Sequence, residues 1–185
     1  MALTKTPVCD FGKKAEDFKL KSIKNKLITL NDIKGEKATL IMFICNHCPY
    51  VKAIIKDLAK DCNELRDNGI SSVAIMSNDT INYPEDSFDN MIKFAHKNKF
   101  GNINYLFDET QEIAKKYGAV CTPDFFGYNK KLELQYRGRF RELKDLKPVN
   151  NGDSDLKIAM RMVAQTQKGP DEQIPSMGCN IKWFN

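Results

Sequence analysis

The chain has 185 residues, of which 42% are hydrophobic and 29% charged, a balance typical of one globular domain with a sizeable core. No stretch approaches the roughly 20 apolar residues of a membrane span, and the N-terminal segment lacks the apolar core of a secretory signal. We therefore expect a cytoplasmic protein with no membrane partner. Its thiols are expected to be reduced at rest. The net charge of +5 is spread over dispersed lysines, whereas a nucleic-acid-binding protein would more often cluster them, so no nucleic-acid partner is expected.

Strand and helix patterns alternate along the chain. Residues 18–23 and 27–30 predict a short β-hairpin ahead of the main fold. The apolar run 38–44 predicts a buried central strand, and residues 49–67 carry apolar side chains at helical spacing up to a stop at Asn68-Gly69. Residues 70–76 then predict the next strand, and residues 86–98 the next helix.

Shorter elements complete the pattern. They comprise a strand at 104–107, a helix at 109–117, a hairpin at 125–128 and 132–136, and a last helix at 156–167. Residues 169–185 are predicted to form a C-terminal tail, the only candidate for a mobile segment. This order predicts a single α/β domain over residues 1–185, with a mixed central sheet flanked by helices.

Two thiols stand three residues apart where the apolar strand gives way to the first long helix. Cys45 and Cys48 can close a disulfide over the first turn, and the free N–H groups and dipole of the helix start favour thiolate over thiol. Pro49 lacks an N–H, which fixes the helix start beside them. A zinc site would normally need a second CxxC pair, and the sequence has none, so thiol–disulfide chemistry is the favoured interpretation.

His47 lies between the two thiols. A partly charged imidazole near a thiolate lowers the pKa of the thiol and makes the disulfide more oxidising, so His47 is predicted to tune the pair. The alternative is that His47 is an ordinary surface residue with no role in the chemistry.

The other cysteines are less clearly assigned. Cys62 falls on the apolar stripe of the first helix and is predicted to pack in the core. Cys121 precedes Thr122-Pro123 and is either a buried, inert thiol or an additional redox group. Cys179 lies in a hydrophilic stretch of the tail, which argues against a core position, and is either a packed tail residue or a resolving partner for an active-site sulfur.

Charged residues near these segments have ordinary interpretations. Asp79, Glu85 and Asp86 are predicted to belong to a turn and a helix start, where the dipole favours acids. Arg137 and Arg139 are predicted to be solvated, with the alternative that one of them faces the active site as a charge partner for a thiolate.

Taken together, these residues resemble the thioredoxin superfamily and, more narrowly, the peroxiredoxin-like branch of the redoxin (alkyl hydroperoxide reductase/thiol-specific antioxidant) family. The matching segments are residues 43–51, 77–79, 83–86, 107–111, 118–126, 136–139 and 175–183. The resemblance implies a thioredoxin-like fold with an N-terminal β-hairpin extension, in which Pro123 is the cis-proline and Thr122 lies beside the CxxC pair. Peroxiredoxins carry Pro-x-x-x-Thr/Ser-x-x-Cys. With Cys48 as the peroxidatic residue, Ile41 and Cys45 replace the proline and the hydroxyl.

The sequence therefore predicts a thiol–disulfide oxidoreductase without a cofactor or metal. Cys45, expected to be the more exposed thiol, attacks a substrate disulfide, Cys48 resolves the mixed disulfide, and the Thr122-Pro123 loop offers backbone groups to an extended substrate segment. The expected partners are a disulfide or peroxide substrate, as a protein or a small molecule, and a thiol reductant such as thioredoxin or glutathione.

Two alternatives remain open. One is a thiol peroxidase with Cys48 peroxidatic and Cys45 or Cys179 resolving. The other is a protein that binds or delivers Cu(I) or zinc through Cys45, Cys48 and His47, together with Cys121 or Cys179.

Overall fold

The computed structural model describes residues 3–184, which form twelve strands and four α-helices. The strands are β1 (Leu3–Lys5), β2 (Lys19–Ser22), β3 (Leu27–Thr29), β4 (Ala38–Phe43), β5 (Ile70–Met76), β6 (Asn104–Phe107), β7 (Cys121–Thr122), β8 (Asp124–Asn129), β9 (Leu134–Tyr136), β10 (Leu143–Lys144), β11 (Lys147–Pro148) and β12 (Met177–Asn180). The helices are α1 (Pro49–Arg66), α2 (Phe88–Lys97), α3 (Glu112–Tyr117) and α4 (Asp155–Thr166), with short 3-10 turns at Asn31–Ile33 and Pro84–Asp86. None of the helices in this part of the chain has the length and apolarity needed to cross a bilayer.

Seven strands form the central mixed sheet in the order β3-β2-β6-β5-β4-β8-β9. β4 lies in the interior, parallel to β5 and antiparallel to β8. All six of its residues are buried because the sheet is covered on both faces. Leu40 and Met42 pack in the cluster that contains the apolar stripe of α1, whereas Ile41 and Phe43 pack with Tyr117 of α3 on the other face. The predicted thioredoxin-like α/β fold is confirmed.

The N-terminal hairpin extends this sheet. β2 and β3 pair antiparallel, as the sequence predicts, and β2 also pairs with β6. The hairpin is therefore the outer edge of the central sheet. At the other edge, β8 and β9 form the predicted second hairpin.

The C-terminal tail is held in place by a second sheet, so the prediction of a mobile segment is wrong for the tail residues that the structure describes. β12 lies between β1 and β7 and pairs antiparallel with both. This strand was not predictable from the sequence, because four residues with a glycine among them show no hydrophobic periodicity. Their attachment depends on backbone hydrogen bonds, which any residue except proline can donate.

Candidate active site

The two thiols of the CxxC pair lie where β4 passes into α1. Ile44 continues the line of β4 through a backbone hydrogen bond to Ile75. The chain then turns, so that Cys48 caps α1 in an extended conformation and Pro49 is the first helical residue. This is the junction predicted from the sequence, and it places Cys48 Sγ close to the free N–H groups of the first turn of α1.

Both thiols are buried and free. Cys45 is 1% exposed and Cys48 0% exposed. The sequence predicts that Cys45 is the more exposed of the two thiols, but in the structure both are covered to nearly the same degree. The reason lies outside the CxxC segment, because the loop at Thr122 and strand β12 cover the pair.

Thr122 contacts both sulfurs. Its hydroxyl Oγ1 lies 3.3 Å from Cys45 Sγ, and its carbonyl oxygen accepts a hydrogen bond from Cys48 Sγ at 3.1 Å. The Thr122-Pro123 peptide bond is cis, as the resemblance implies. The loop thus lies beside the CxxC pair as predicted.

The environment of the two thiols separates their pKa values. The pKa of Cys48 is lowered, first by interaction with the Cys45 thiol and then by the backbone N–H of Val51 and by Cys179, which together outweigh desolvation. The Thr122 carbonyl is the one contact that favours a protonated Cys48. The pKa of Cys45 is raised, because its proton is held by Cys48, because the thiol is buried, and because the Asp86 carboxylate is near. These opposite directions favour Cys48 as the thiolate of the pair, whereas the sequence predicts that Cys45 attacks, so the order of the two roles stays a prediction.

His47 is directed toward Asp86. Its Nδ1–H donates to Asp86 Oδ2 at 2.6 Å, and its ring stacks on Tyr83 at 5.5 Å between centroids and 9° between planes. The hydrogen bond to Asp86 is the main reason why the pKa of His47 is raised, and the neighbouring Cys48 adds a minor contribution in the same direction. The role of His47 in tuning the thiols stays a prediction, and its main partner is a carboxylate that the sequence did not single out.

Asp86 organises this side of the site. It is fully buried and accepts hydrogen bonds from the backbone N–H of Asn46 at 2.8 Å and from Asn78 Nδ2 at 2.8 Å, besides those from His47. Asp86 lies in the first turn of the 3-10 helix Pro84–Asp86, in agreement with the predicted turn and helix start, and its carboxylate also bonds to the CxxC segment. A signal for this contact was present, since Asn78 and Asp86 both fall in segments that carry the family resemblance.

The remaining cysteines have different surroundings. Cys62 is in the core, as predicted. Cys121 is buried with its Sγ 3.6 Å from the carbonyl oxygen of Pro123, and desolvation raises its pKa, so its thiol stays protonated. Cys179 is 4% exposed and packs in the same core cluster as Cys45 and Cys48, contrary to the expectation that it lies outside the core.

The two arginines near the site are engaged elsewhere. Arg137 forms a buried two-point ion pair with Asp124, at 3.4 Å from Nε and 3.0 Å from Nη2. Arg139 Nε contacts Asp155 at 2.6 Å. Both guanidinium groups therefore have carboxylate partners, and neither serves as the charge partner of a thiolate. Arg137 instead holds Asp124, the residue that follows Pro123, through this ion pair.

A group of possible metal ligands overlaps the site. In the part of the chain that the structure describes, Cys45, His47 and Asp86 offer ligand atoms that lie within 4.8 Å of one another. His47 Nδ1 and the Asp86 carboxylate are bonded to each other, so a metal ion would have to replace that hydrogen bond. The arrangement as it stands favours a histidine–carboxylate pair.

A cavity of about 460 Å³ opens on the other side of the cis-proline. Pro123 and Tyr50 lie on its wall nearest the thiols, with apolar side chains such as Phe140 and Ile174 and the basic Arg141 further along. An apolar cavity with few polar groups is the usual form of a small-molecule site. This one adjoins the covered CxxC pair.

Comparisons with known proteins identify the family and agree with the fold. The model of the AhpC/TSA family matches residues 11–140. An uncharacterised conserved protein from Geobacillus kaustophilus is 38% identical, with 100% of this chain and 97% of that chain covered and a TM-score of 0.94. A hypothetical protein from Sinorhizobium meliloti is 37% identical, with 98% of each chain covered and a TM-score of 0.90.

A more distant structure shares the fold. The thioredoxin domain of a thiol-disulfide oxidoreductase from Bacteroides vulgatus is 18% identical, with 71% of this chain and 89% of that chain covered and a TM-score of 0.59. No curated protein matched the chain. The family model covers well over half of the sequence, and the chain therefore belongs to the AhpC/TSA family.

Proposed function

We propose that the protein is a thiol–disulfide oxidoreductase in which Cys48 is the nucleophile and Cys45 the resolving thiol. The supporting observation is the position of Cys48 at the start of α1, where the backbone N–H of Val51 helps to lower the pKa of its thiol, whereas burial and the Asp86 carboxylate help to raise the pKa of Cys45. A lowered pKa supplies the attacking thiolate, and a protonated neighbour supplies the second thiol of the cycle. The sequence assigned these two roles in the opposite order.

The chemistry balances within the pair and the substrate. The Cys48 thiolate attacks one sulfur of a substrate disulfide, a Cys48–substrate disulfide forms, and the other substrate sulfur leaves as a thiolate. Cys45 then loses its proton and attacks Cys48 Sγ, which releases the second substrate thiol and leaves a Cys45–Cys48 disulfide. A thiol reductant such as thioredoxin or glutathione restores the dithiol.

A low-molecular-weight disulfide suits the reduced state best. Both sulfurs are buried, and the edge of β7 is already paired with β12. We infer that a small substrate approaches from the cavity beside Pro123, although neither sulfur lines that cavity, whereas an extended protein segment would first have to displace β12.

Trapping of mixed disulfides tests the roles. With a labelled disulfide such as oxidised glutathione, Cys45→Ser/Cys179→Ser is expected to accumulate an adduct on Cys48, because both neighbouring thiols that could resolve it are missing. Cys48→Ser is expected to react at least tenfold more slowly, because the raised pKa of Cys45 leaves little thiolate. Cys9→Ser, a thiol on the opposite face of the sheet, is the matched control and should behave as wild type. Adducts that accumulate on Cys45 in Cys48→Ser, and not on Cys48 in Cys45→Ser/Cys179→Ser, would show that Cys45 attacks and Cys48 resolves.

A thiol peroxidase is the second candidate, favoured by one observation. Cys48 is fully buried with a lowered pKa, and a peroxide, which is far smaller than a peptide disulfide, needs a smaller opening to reach it. Cys48 would cleave the O–O bond, become a sulfenic acid and release water or an alcohol, after which a second thiol would condense with it. Ile41 and Cys45 still occupy the positions where peroxiredoxins have proline and a hydroxyl.

Two assays separate the candidates. Peroxide consumption driven by a thiol reductant, with a sulfenic-acid label on Cys48, identifies the peroxidase. Reduction of a small disulfide at a comparable or greater rate, without that label, identifies the oxidoreductase.

A further inference from the structure

A third thiol is held against the CxxC pair by the tail strand. β12 pairs antiparallel with β7, so that Cys179 lies opposite Thr122 and Asn180 opposite Cys121. Thr122 is the residue whose carbonyl oxygen is 3.1 Å from Cys48 Sγ. The register of this short strand pair therefore places Cys179 next to the reactive sulfur.

The close approach of β12 depends on a glycine. A Cβ atom at Gly178 would lie 2.0 Å from the Thr122 carbonyl oxygen and 3.1 Å from Pro123 Cδ, so no other residue fits there without displacing backbone. On the other side of Gly178, the Ser176 hydroxyl donates to the Pro123 carbonyl oxygen at 2.8 Å. The strand is thus fixed on the cis-proline loop by features that flank Cys179.

The neighbouring Cys179 also affects the pKa of Cys48. Both its backbone N–H and its side-chain thiol act on Cys48 Sγ and help to lower the pKa of that thiol. In return, Cys48 helps to raise the pKa of Cys179 to about 11, after desolvation as the largest cause. The two sulfurs belong to one cluster with Cys45, whereas Cys121 bonds toward Pro123 and keeps its proton.

The position of β12 is also the position expected for a substrate. The sequence predicts that the Thr122-Pro123 loop offers its backbone to an extended segment of a substrate. In the structure that place is taken by the protein's own tail, with a cysteine at the residue opposite Thr122. β12 therefore resembles an internal substrate.

We propose that Cys179 is a third redox residue, which exchanges with the CxxC pair to form a Cys48–Cys179 disulfide. This rests on the proposed function, since the two electrons are first removed by the substrate disulfide. The Cys179 thiolate attacks Cys48 Sγ, the Cys45–Cys48 bond breaks, and Cys45 leaves as a thiolate that takes up the proton Cys179 has lost. The step is an isomerisation and needs no further oxidant.

Tryptic peptides distinguish the two disulfides. Cys45 and Cys48 fall in one peptide, residues 38–52, so their disulfide stays within it. Cys179 falls in residues 169–182, so a Cys48–Cys179 disulfide links two peptides. The test equilibrates the intact protein with graded mixtures of reduced and oxidised glutathione, quenches with acid and maps the peptides by mass.

The expected result is that wild type yields both species and that Cys45→Ser yields the cross-linked peptides with a loss of two hydrogen atoms. Cys45→Ser/Cys179→Ser should yield only glutathione on Cys48, and Cys9→Ser should match wild type. Glutathione that stays on Cys48 in Cys45→Ser, with Cys179 still a free thiol, would overturn the proposal.

The wild-type measurement keeps the test valid if a variant fails to fold. An intrapeptide Cys45–Cys48 disulfide without any cross-linked peptide refutes the role of Cys179 and leaves the proposed function intact. Absence of both disulfides across the whole range of mixtures refutes the proposed function together with this extension.

Discussion

Removal of the Cys45 thiol should raise the pKa of Cys48. Among the groups that lower the pKa of Cys48, the Cys45 thiol has the largest effect. Cys45 Sγ in turn lies 3.3 Å from the Thr122 hydroxyl oxygen Oγ1. A hydrogen bond to a charged group is worth about 1.5–3 kcal/mol. Since one pKa unit corresponds to about 1.4 kcal/mol, Cys45→Ala should raise the pKa of Cys48 by about 1–2 units. Cys45→Ser keeps a donor and should raise it less.

The measurement is the ultraviolet absorbance of the thiolate as a function of pH. It requires no reagent to enter the buried site, and subtraction of the curve for Cys48→Ser isolates the signal of this one sulfur. Cys9→Ser is the control for loss of an unrelated thiol. Identical midpoints for wild type and Cys45→Ala would refute the argument that Cys45 stabilises the thiolate.

Three further predictions concern the surroundings of the site. Asp86→Asn should lower the pKa of His47, which histidine NMR signals report. In wild type the raised pKa of His47 contributes stability that is complete below the pKa of the unfolded state and is lost as pH rises through the pKa of the folded state. The variant should therefore flatten the pH dependence of the free energy of unfolding in denaturant titrations. Asp124→Asn leaves the guanidinium of Arg137 buried without its charge partner and should cost about 3–5 kcal/mol of unfolding free energy. The double variant that also carries Arg137→Met should restore the stability, because no unpaired charge then stays buried. Lys157→Met removes the ammonium 3.4 Å from the buried Asp61 and should cost about 1–3 kcal/mol of unfolding free energy, measured by denaturant titration.

The sequence predicts the elements of this fold that have strong periodicity. The apolar run at β4 and the stripe of α1 place Cys45 and Cys48 at the correct junction, because burial on both faces of a strand and on one face of a helix leaves a local pattern. The ends of weaker elements are less accurate, as with α3, which begins at Glu112 and not at Glu109. A short helix has too few turns to define its own start.

The order of the two thiol pKa values could not be predicted from the CxxC segment. The value at Cys48 depends on Val51 in the first turn of α1 and also on Cys179, which is more than a hundred residues away in sequence. The burial of Cys45 likewise depends on tertiary packing against Thr122. Long-range contacts of this kind leave no periodic signal, so the sequence supplies the identity of the reactive residues and the fold supplies their roles.

Displacement of β12 provides a test of how access and acidity are linked at Cys48. Gly178→Ala should push the strand away from Thr122, and overpacking of this kind costs about 1–3 kcal/mol. Gly152→Ala is a matched control, since its Cβ would meet only Asn150 Oδ1 at 3.7 Å. Alkylation of Cys48, followed across pH by mass mapping, reports the plateau rate of the thiolate and the midpoint of its titration.

The two quantities should change together, for a reason that lies in the tail itself. The strand that shields Cys48 from solvent also supplies the N–H and thiol of Cys179 that lower the pKa of Cys48. When Gly178→Ala opens the edge, the plateau rate should rise because the sulfur is accessible, and the midpoint should shift to higher pH because those donors have moved away. A substrate that displaces β12 would have to replace the same donors to keep Cys48 ionised. A higher plateau with an unchanged midpoint would show that Cys179 only covers the site and does not act on its chemistry.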